Sequence, residues 1–345
     1  MDQITRIGVD TSKNVFQLHG VDEMEQPALC KKLHRRQVLS FFGRLTPTEI
    51  GMEACGAAHY WARALRDMGH EVVLLPPQYV KPYVMRGKND AADAEAICEA
   101  MSRPKMRFVA IKSAEQQAAQ MLLGVREALL RRRTQASNQI RGFAAEFGLV
   151  AAKGLCQIEA LLTELADDTS LPSLAREMFV VLAGQYRHAD AQIRELDNKL
   201  MALHRNNEQS RRLAEIPTIG PITAAALSVK VTDPKAFRSG RDFAAWIGLT
   251  PKDHSTAGKT KLGGITRAGD EMLRYLLVSG ATSIINRATH NRGCPSAWLA
   301  ALLKRKPRKL AAVALANKVA RIAWKLMVSG ERYNPPSGLT VAATA

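Results

Sequence analysis

Two short apolar runs in this chain, Ile7-Gly8-Val9-Asp10 and Ile50-Gly51-Met52-Glu53, each end on a carboxylate. Runs of that length, bounded by polar residues, read as buried strands. When such strands lie side by side, the acids at their ends come together. A third stretch, Lys88-Asn89-Asp90-Ala91-Ala92-Asp93-Ala94, takes a basic loop into a helix carrying two more acids. Asp90 and Asp93 stand three apart and so share a helix face. Side by side they repel, and both ionise readily only if a cation sits between them. Four carboxylates make an oxygen-only donor set of the kind Mg²⁺ prefers. Asp90-x-x-Asp93 also fits a helix N-cap with an acid in the first turn, which needs no metal. The two strand-end acids tip the balance towards the metal.

Residues 1–110 read as an α/β unit. Strands are predicted at Arg6–Asp10, Val15–Val21, Thr48–Glu53 and Glu71–Leu75, an amphipathic helix at His59–Met68 and an acidic helix at Asp90–Met101. Leu29–Leu45 is basic and reads as partly helical. Strand-strand followed by strand-helix-strand predicts a mixed sheet covered by helices, with ligands on the rim at the strand ends. Residues 111–208 change character: Glu115–Phe147 lacks proline and spaces its apolar residues for a helix. Gln157–Ala166 and Pro172–Asn206 read the same way. The three predict a helical hairpin arm, a coiled-coil candidate, with Arg131, Arg132 and Arg133 on a basic face. That face is either a solvated surface or a nucleic-acid contact.

Residues 209–330 are predicted mainly helical, and the tail 331–345 loose. Glu215–Leu227 reads as helix, tight turn, helix, with Gly220 at the turn. Free amides at the second helix start would bind phosphate without reading bases, as in a helix-hairpin-helix element. Phe243–Leu249 is an apolar helix ended by Thr250-Pro251, after which Lys252–Gly269 reads as a flexible basic loop. It holds Ser255, Thr256, Lys259, Lys261 and Arg267, with His254 as a possible base. Glycines let backbone approach a polyanion, lysines neutralise it, and a deprotonated serine can attack phosphorus. Helices follow at Glu271–Ile285, Trp298–Arg305 and Arg308–Val328. Between the last two, Lys304, Arg305, Lys306, Arg308 and Lys309 form the densest basic run, suited to backbone phosphates.

A net charge of +17, from 49 basic against 32 acidic residues, makes a polyanion the natural partner. No apolar run approaches the roughly 18 residues of a spanning helix, so nucleic acid is preferred over membrane. Met1-Asp2-Gln3 does not begin a signal peptide. The five cysteines are scattered and form no Cys-x-x-Cys pair, which predicts reduced thiols in a cytoplasmic protein.

Taken in order, these features resemble the DEDD-type transposases of bacterial insertion sequences, also called bridge-RNA-guided recombinases. The anchors are Gly8-Val9-Asp10-Thr11-Ser12-Lys13, Glu53-Ala54-Cys55-Gly56, Lys88–Ala94, Ile216-Pro217-Thr218-Ile219-Gly220, Gly248-Leu249-Thr250-Pro251 and Gly263–Gly269. The likeness spans nearly the whole chain, from Ile7 to about Gly330. The resemblance implies an RNase H-like (RuvC-like) domain, a coiled coil and a C-terminal transposase domain. It places the four metal acids on Asp10, Glu53, Asp90 and Asp93, holding Mg²⁺ or Mn²⁺, with Lys13 beside them at the nucleic acid. It implies a catalytic serine after Gly-Leu-Thr-Pro, hence Ser255. Spacing from Ala268-Gly269 favours Ser255, whereas counting from Pro251 allows Thr256. Donor and target DNA, a structured non-coding guide RNA, a dimer or tetramer and a nucleoid-associated location are further implications. Acids and serine fall in different segments, so they must meet through folding or between subunits. Two other functions compete with this one. A hydrolytic RNase H-type nuclease would use the acids alone, and a non-catalytic binder would use only the cations.

Overall fold

A computed structural model describes residues 4–84, 90–256, 258–290 and 296–334. The chain divides into two compact units, Met1–Gln117 with Thr232–Ala236, and Ala118–Val231 with Phe237–Ala345.

The first unit is mixed α/β. β1 (Arg6–Thr11) and β2 (Val15–Val21) form an antiparallel hairpin, and β3 (Pro27–His34) continues the meander beside β2. After the short helix α1 (Val38–Phe42), β4 (Glu49–Glu53) pairs parallel with β1. Helix α2 (Ala58–Asp67) then leads to β5 (Glu71–Leu75), parallel to β4. The sheet order is β3-β2-β1-β4-β5. A short helix α3 (Pro77–Val80) precedes α4 (Asp90–Met101).

Alternation along the strands sorts the sheet into two faces. Ile7, Val9, Ile50 and Met52 enter a core with Phe42 of α1 and Trp61 and Leu65 of α2. The intervening Gly8 and Gly51 face α4, against Ala94, Cys98 and Met101. The segment read as partly helical, Leu29–Leu45, is helical over Arg35–Gln37 and Val38–Phe42, but its start belongs to a strand, Pro27–His34, not expected from the sequence. β3 is an edge strand whose Cys30, Lys31 and Lys32 are exposed, so its composition carries no apolar alternation.

The second unit takes α5 (Ala114–Glu146) from Ala118 onward; there α5 and α7 (Ser173–Asn206) run antiparallel, and α6 (Ile158–Asp167) packs beside them. Arg126 pairs with Asp197 and Arg133 with Asp190, reversed in sequence order as antiparallel helices require. Helices α8 (Glu208–Ala214) and α9 (Pro221–Lys230) flank a tight turn, and α10 (Gly240–Trp246) follows. The hairpin β6 (Pro251–Asp253) and β7 (Leu262–Ile265) comes next, then α11 (Glu271–Thr289), α12 (Ala297–Arg305) and α13 (Arg308–Ser329). Leu213, Ile219, Leu227, Phe243, Leu273 and Leu277 share a core with Ala316, Ala320 and Ala323 of α13. The predicted flexible loop Lys252–Gly269 is therefore a β-hairpin at its base. Both its strands are almost wholly exposed, so no buried face left a period in the sequence.

Four cysteines are free thiols, and Cys294 lies outside the described residues. Pro335–Ala345, most of the predicted loose tail, also lies outside them. No helix among the described residues is long and apolar enough to cross a membrane.

Candidate metal centre and serine hairpin

The acid site is assembled by close packing of α4 on the sheet. A Cβ at Gly8 would lie 2.2 Å from the Ala94 carbonyl oxygen and 2.5 Å from the Cys98 nitrogen. A Cβ at Gly51 would meet the Met101 side chain. Two residues beyond each glycine, on the same face, stand Asp10 and Glu53. The sheet register continues this: Val9 pairs with Met52, so the two acids are the next residues on adjacent parallel strands. Asp90 and Asp93 occupy the first turn of α4.

One carboxylate oxygen from each of Asp10, Asp90 and Asp93 lies within 4.8 Å of the other two. Burial raises the Asp10 pKa to about 6, helped by the charges of Asp93, Asp90 and Glu53. Burial likewise raises Glu53, with Asp93 adding to it. Glu53 is outside the tight group of three, yet its charge bears on Asp10 from the neighbouring strand end. This is crowded anionic charge with an oxygen-only donor set, and a hard divalent cation is the ligand that relieves it. Lys13 is exposed in the β1–β2 turn just beyond Asp10, and Lys88 and Asn89 lie outside the described residues.

Ser255 sits at the exposed start of the turn joining β6 to β7. Its amide donates to Asp253 Oδ1 at 2.8 Å, and its Oγ accepts from the Lys261 amide at 3.1 Å. Hydrogen bonds from the Ser255 hydroxyl and amide hold the Asp253 carboxyl below its ordinary range. The predicted base, His254, instead turns its ring to Gly263, where a Cβ would come within 3.3 Å of it. Thr256 bridges back to Lys259 through backbone hydrogen bonds.

The base of the hairpin is clamped by contacts that sequence reasoning missed. Gly248 (φ 81°) and Gly269 (φ 68°) let two chain segments touch: a Cβ on Gly269 would lie 1.7 Å from the Trp246 carbonyl oxygen. Arg274 of α11 donates to the Ile247 and Ala268 carbonyls, both at 2.8 Å. Asp253 had a local signal, an acid two residues before a serine; Arg274 had none.

The cations fall into distinct settings. Lys259, Lys261 and Arg267 are exposed on or beside the hairpin. Lys304, Arg305, Lys306, Arg308 and Lys309 are all exposed where α12 turns into α13, and none is ion-paired among the described residues. Arg131 and Arg132 are exposed on α5, but Arg133 is turned into the helix pair, 2.6 Å from Asp190. At the α8–α9 turn the left-handed residue is Thr218 (φ 87°), whereas Gly220 is the extended N-cap of α9 (φ −82°). Gly280 makes room for it, since a Cβ there would lie 2.1 Å from the Thr218 carbonyl oxygen.

Comparison with known proteins gives two family models, one over the acids and one over the serine hairpin. A DEDD-type IS110 transposase model matches residues 7–147, and the model "Transposase IS116/IS110/IS902 family" matches residues 210–293. The chain is 63% identical over 339 residues to "Putative transposase y4pF/y4sB" of Sinorhizobium fredii, covering 98% of this chain and 88% of that protein. It is 46% identical over 335 residues to "Probable family 20 transposase" of Pseudomonas aeruginosa, covering 96% and 99%. It is 40% identical over 334 residues to "Transposase for insertion sequence element IS1328" of Yersinia enterocolitica, covering 97% and 100%.

Proposed function

The chain belongs to the DEDD transposases of the IS116/IS110/IS902 family, and on that footing we propose that it cuts and rejoins the DNA strands of a mobile element by serine transesterification. The family membership makes it a DNA-transposition enzyme with a divalent-metal requirement. The observation that carries the metal-dependent part of the proposal is the convergence of Asp10, Asp90 and Asp93 oxygens within 4.8 Å. These three would hold Mg²⁺, with Mn²⁺ as the alternative, and Glu53 would complete the set from β4. The bound ion would polarise the scissile phosphate and stabilise charge developing on it.

Ser255 supplies the nucleophile. Its Oγ attacks phosphorus, the hydroxyl proton is released to solvent, and the P–O3′ bond breaks. The leaving oxygen takes up a proton and becomes a free 3′-hydroxyl, while the 5′ end stays on the serine as a phosphodiester. A 3′-hydroxyl of the strand to be joined then attacks that phosphorus and returns the electron pair to Oγ. One phosphodiester is exchanged for another, so no nucleotide hydrolysis is needed.

The exposed cations suit phosphate contacts that position DNA without reading it. Arg132, Lys259, Lys261 and Arg267 belong to this set, as do the five at the α12–α13 corner, whereas Arg131 is paired with Glu127. The α8–α9 turn with Gly220 serves as a helix-hairpin-helix phosphate contact, and α5 with α7 as a coiled-coil arm. Sequence choice rests with a structured non-coding RNA paired to donor and target DNA, and the working form is a homo-oligomer, dimer or tetramer.

The test combines purified protein with element RNA, donor and target DNA and Mg²⁺, then denatures in detergent and looks for DNA-linked protein. An adduct present in wild type and lost in Ser255→Ala and Asp10→Ala is the expected result. An adduct that persists in Ser255→Ala moves the nucleophile to Thr256. A second reading has its own support, because the acid cluster is complete within one unit and could activate water alone. Cleavage without adduct, dependent on Asp10 and indifferent to Ser255, would establish that hydrolytic nuclease and overturn the serine mechanism.

A further inference from the structure

We propose that the cleft bounded by α5, the start of α9 and the start of α11 receives a single unpaired nucleobase. The cleft has a volume of about 850 Å³, lies entirely within the second unit, and is lined along one face of α5 from Leu123 to Gln139. That size is in the usual range for small-ligand sites and generous for one base. Its floor is apolar, from Leu123 and Leu130 on α5 to Met272 and Leu276 on α11. Tyr275 forms a wall, with 67% of its surface exposed.

The rim carries the specificity. Gln135, Asn138 and Gln139 present three carboxamides to the cleft, and none has a side-chain hydrogen bond among the described residues. Carboxamides pair bidentately with base edges, and an aromatic ring stacks on any base face. The charges in the cleft argue against a phosphate as its occupant. Arg126 is paired with Asp197 and Arg131 with Glu127, which leaves Glu271 as the charge in the cleft with no ion pair among the described residues. A carboxylate repels phosphate but accepts from an exocyclic amine. An apolar partner helix fits less well, because the amides would be buried without partners against it.

The experiment uses the full chain with a single-stranded DNA oligonucleotide carrying 2-aminopurine, its RNA counterpart, and the fully paired duplex. Wild type should change the 2-aminopurine emission on binding either single strand, and the tighter arm identifies the natural source. Tyr275→Ala should weaken single-strand binding about tenfold, the worth of one base–aromatic stack, and abolish the emission change. Tyr275→Phe should retain both, and Asn138→Ala with Gln139→Ala should weaken single-strand binding as well. Duplex affinity should stay constant in all variants. These side chains lie on the surface, so the fold survives their loss, and melting curves check it. Unchanged single-strand affinity in both the tyrosine and the amide variants would overturn the proposal, as would an equal loss for duplex. So would a variant that alters only the sedimentation of the protein alone, which would make the cleft a seat for a second copy. The assay requires no cleavage, so its failure leaves the serine mechanism untouched.

Discussion

Gly8→Ala is the smallest change that should dismantle the acid centre. The added methyl would lie 2.2 Å from the Ala94 carbonyl oxygen and 2.5 Å from the Cys98 nitrogen, both backbone atoms of α4. Ordinary contact begins near 3.4 Å, so the helix must withdraw by 3.4 − 2.2 = 1.2 Å at that point. Overpacking against backbone costs about 1–3 kcal/mol, and the absence of a yielding side chain places this site at the upper end. Asp90 and Asp93 ride on the same helix, with oxygens within 4.8 Å of Asp10. Metal–oxygen bonds of about 2.0–2.6 Å do not tolerate a shift of that size. A misplacement of about 1 Å at a reacting centre costs on the order of a hundredfold in rate. Thermal melts in EDTA and then in Mg²⁺, together with the adduct assay, read all three effects. The variant should melt lower in EDTA, lose the Mg²⁺-dependent rise in Tm, and lose most adduct. Gly124→Ala on α5, where a Cβ meets nothing within 4 Å, is the control and should behave as wild type or melt slightly higher. If Gly8→Ala melts lower but keeps the full Mg²⁺ increment and adduct yield, the helix does not position the acids. If it melts as wild type, the packing itself is misread.

Asp10→Asn should stabilise the metal-free protein while abolishing catalysis, a pairing of opposite signs that a purely structural residue does not give. The folded pKa of Asp10, about 6, lies above its ordinary value of 3.8, so ionised Asp10 costs stability above pH 6, and that cost fades as pH falls from 6 towards 4. A shift of 2.2 (6 − 3.8) corresponds to about 3 kcal/mol, reduced to about 1–2 kcal/mol because the carboxyl is half-exposed. In EDTA the variant should therefore outmelt wild type at pH 8 by a few degrees and lose that advantage at pH 4; a lower melting point at pH 8 would refute the crowding. Arg274→Ala removes two hydrogen bonds of 2.8 Å from the hairpin base and should cost about 2 kcal/mol. Adduct yield should fall further than DNA affinity in a gel-shift titration, and equal losses would mean that Arg274 does not hold Ser255 in place.

The acids were legible because chemistry and packing share one local pattern. Gly8-Val9-Asp10 and Gly51-Met52-Glu53 each put a glycine under α4 and an acid two residues later on the same face, and the period of a strand is enough to see it. β3 escaped because an edge strand needs no second buried face: Leu33 is buried, but Cys30, Lys31 and Lys32 face solvent and mimic a basic helix. The serine hairpin escaped for a related reason. Neither β6 nor β7 buries a side chain, so nothing in Pro251–Ile265 distinguishes paired strands from a glycine-rich loop. What orders it comes from elsewhere: Gly248 and Gly269 stand 21 residues apart (269 − 248), and Arg274 reaches back from a helix to the carbonyl just before each of them. Contacts of that span leave no periodicity. The same reasoning applies at the α8–α9 turn, where Gly220 has the freest backbone, yet Thr218 is the residue that adopts the left-handed conformation. That choice depends on Gly280, a residue on α11 whose missing side chain admits the Thr218 carbonyl. A threonine held at φ 87° with its hydroxyl buried and without a partner among the described residues is a strained residue held by its surroundings, and no reading of Pro217–Pro221 alone reveals the surroundings.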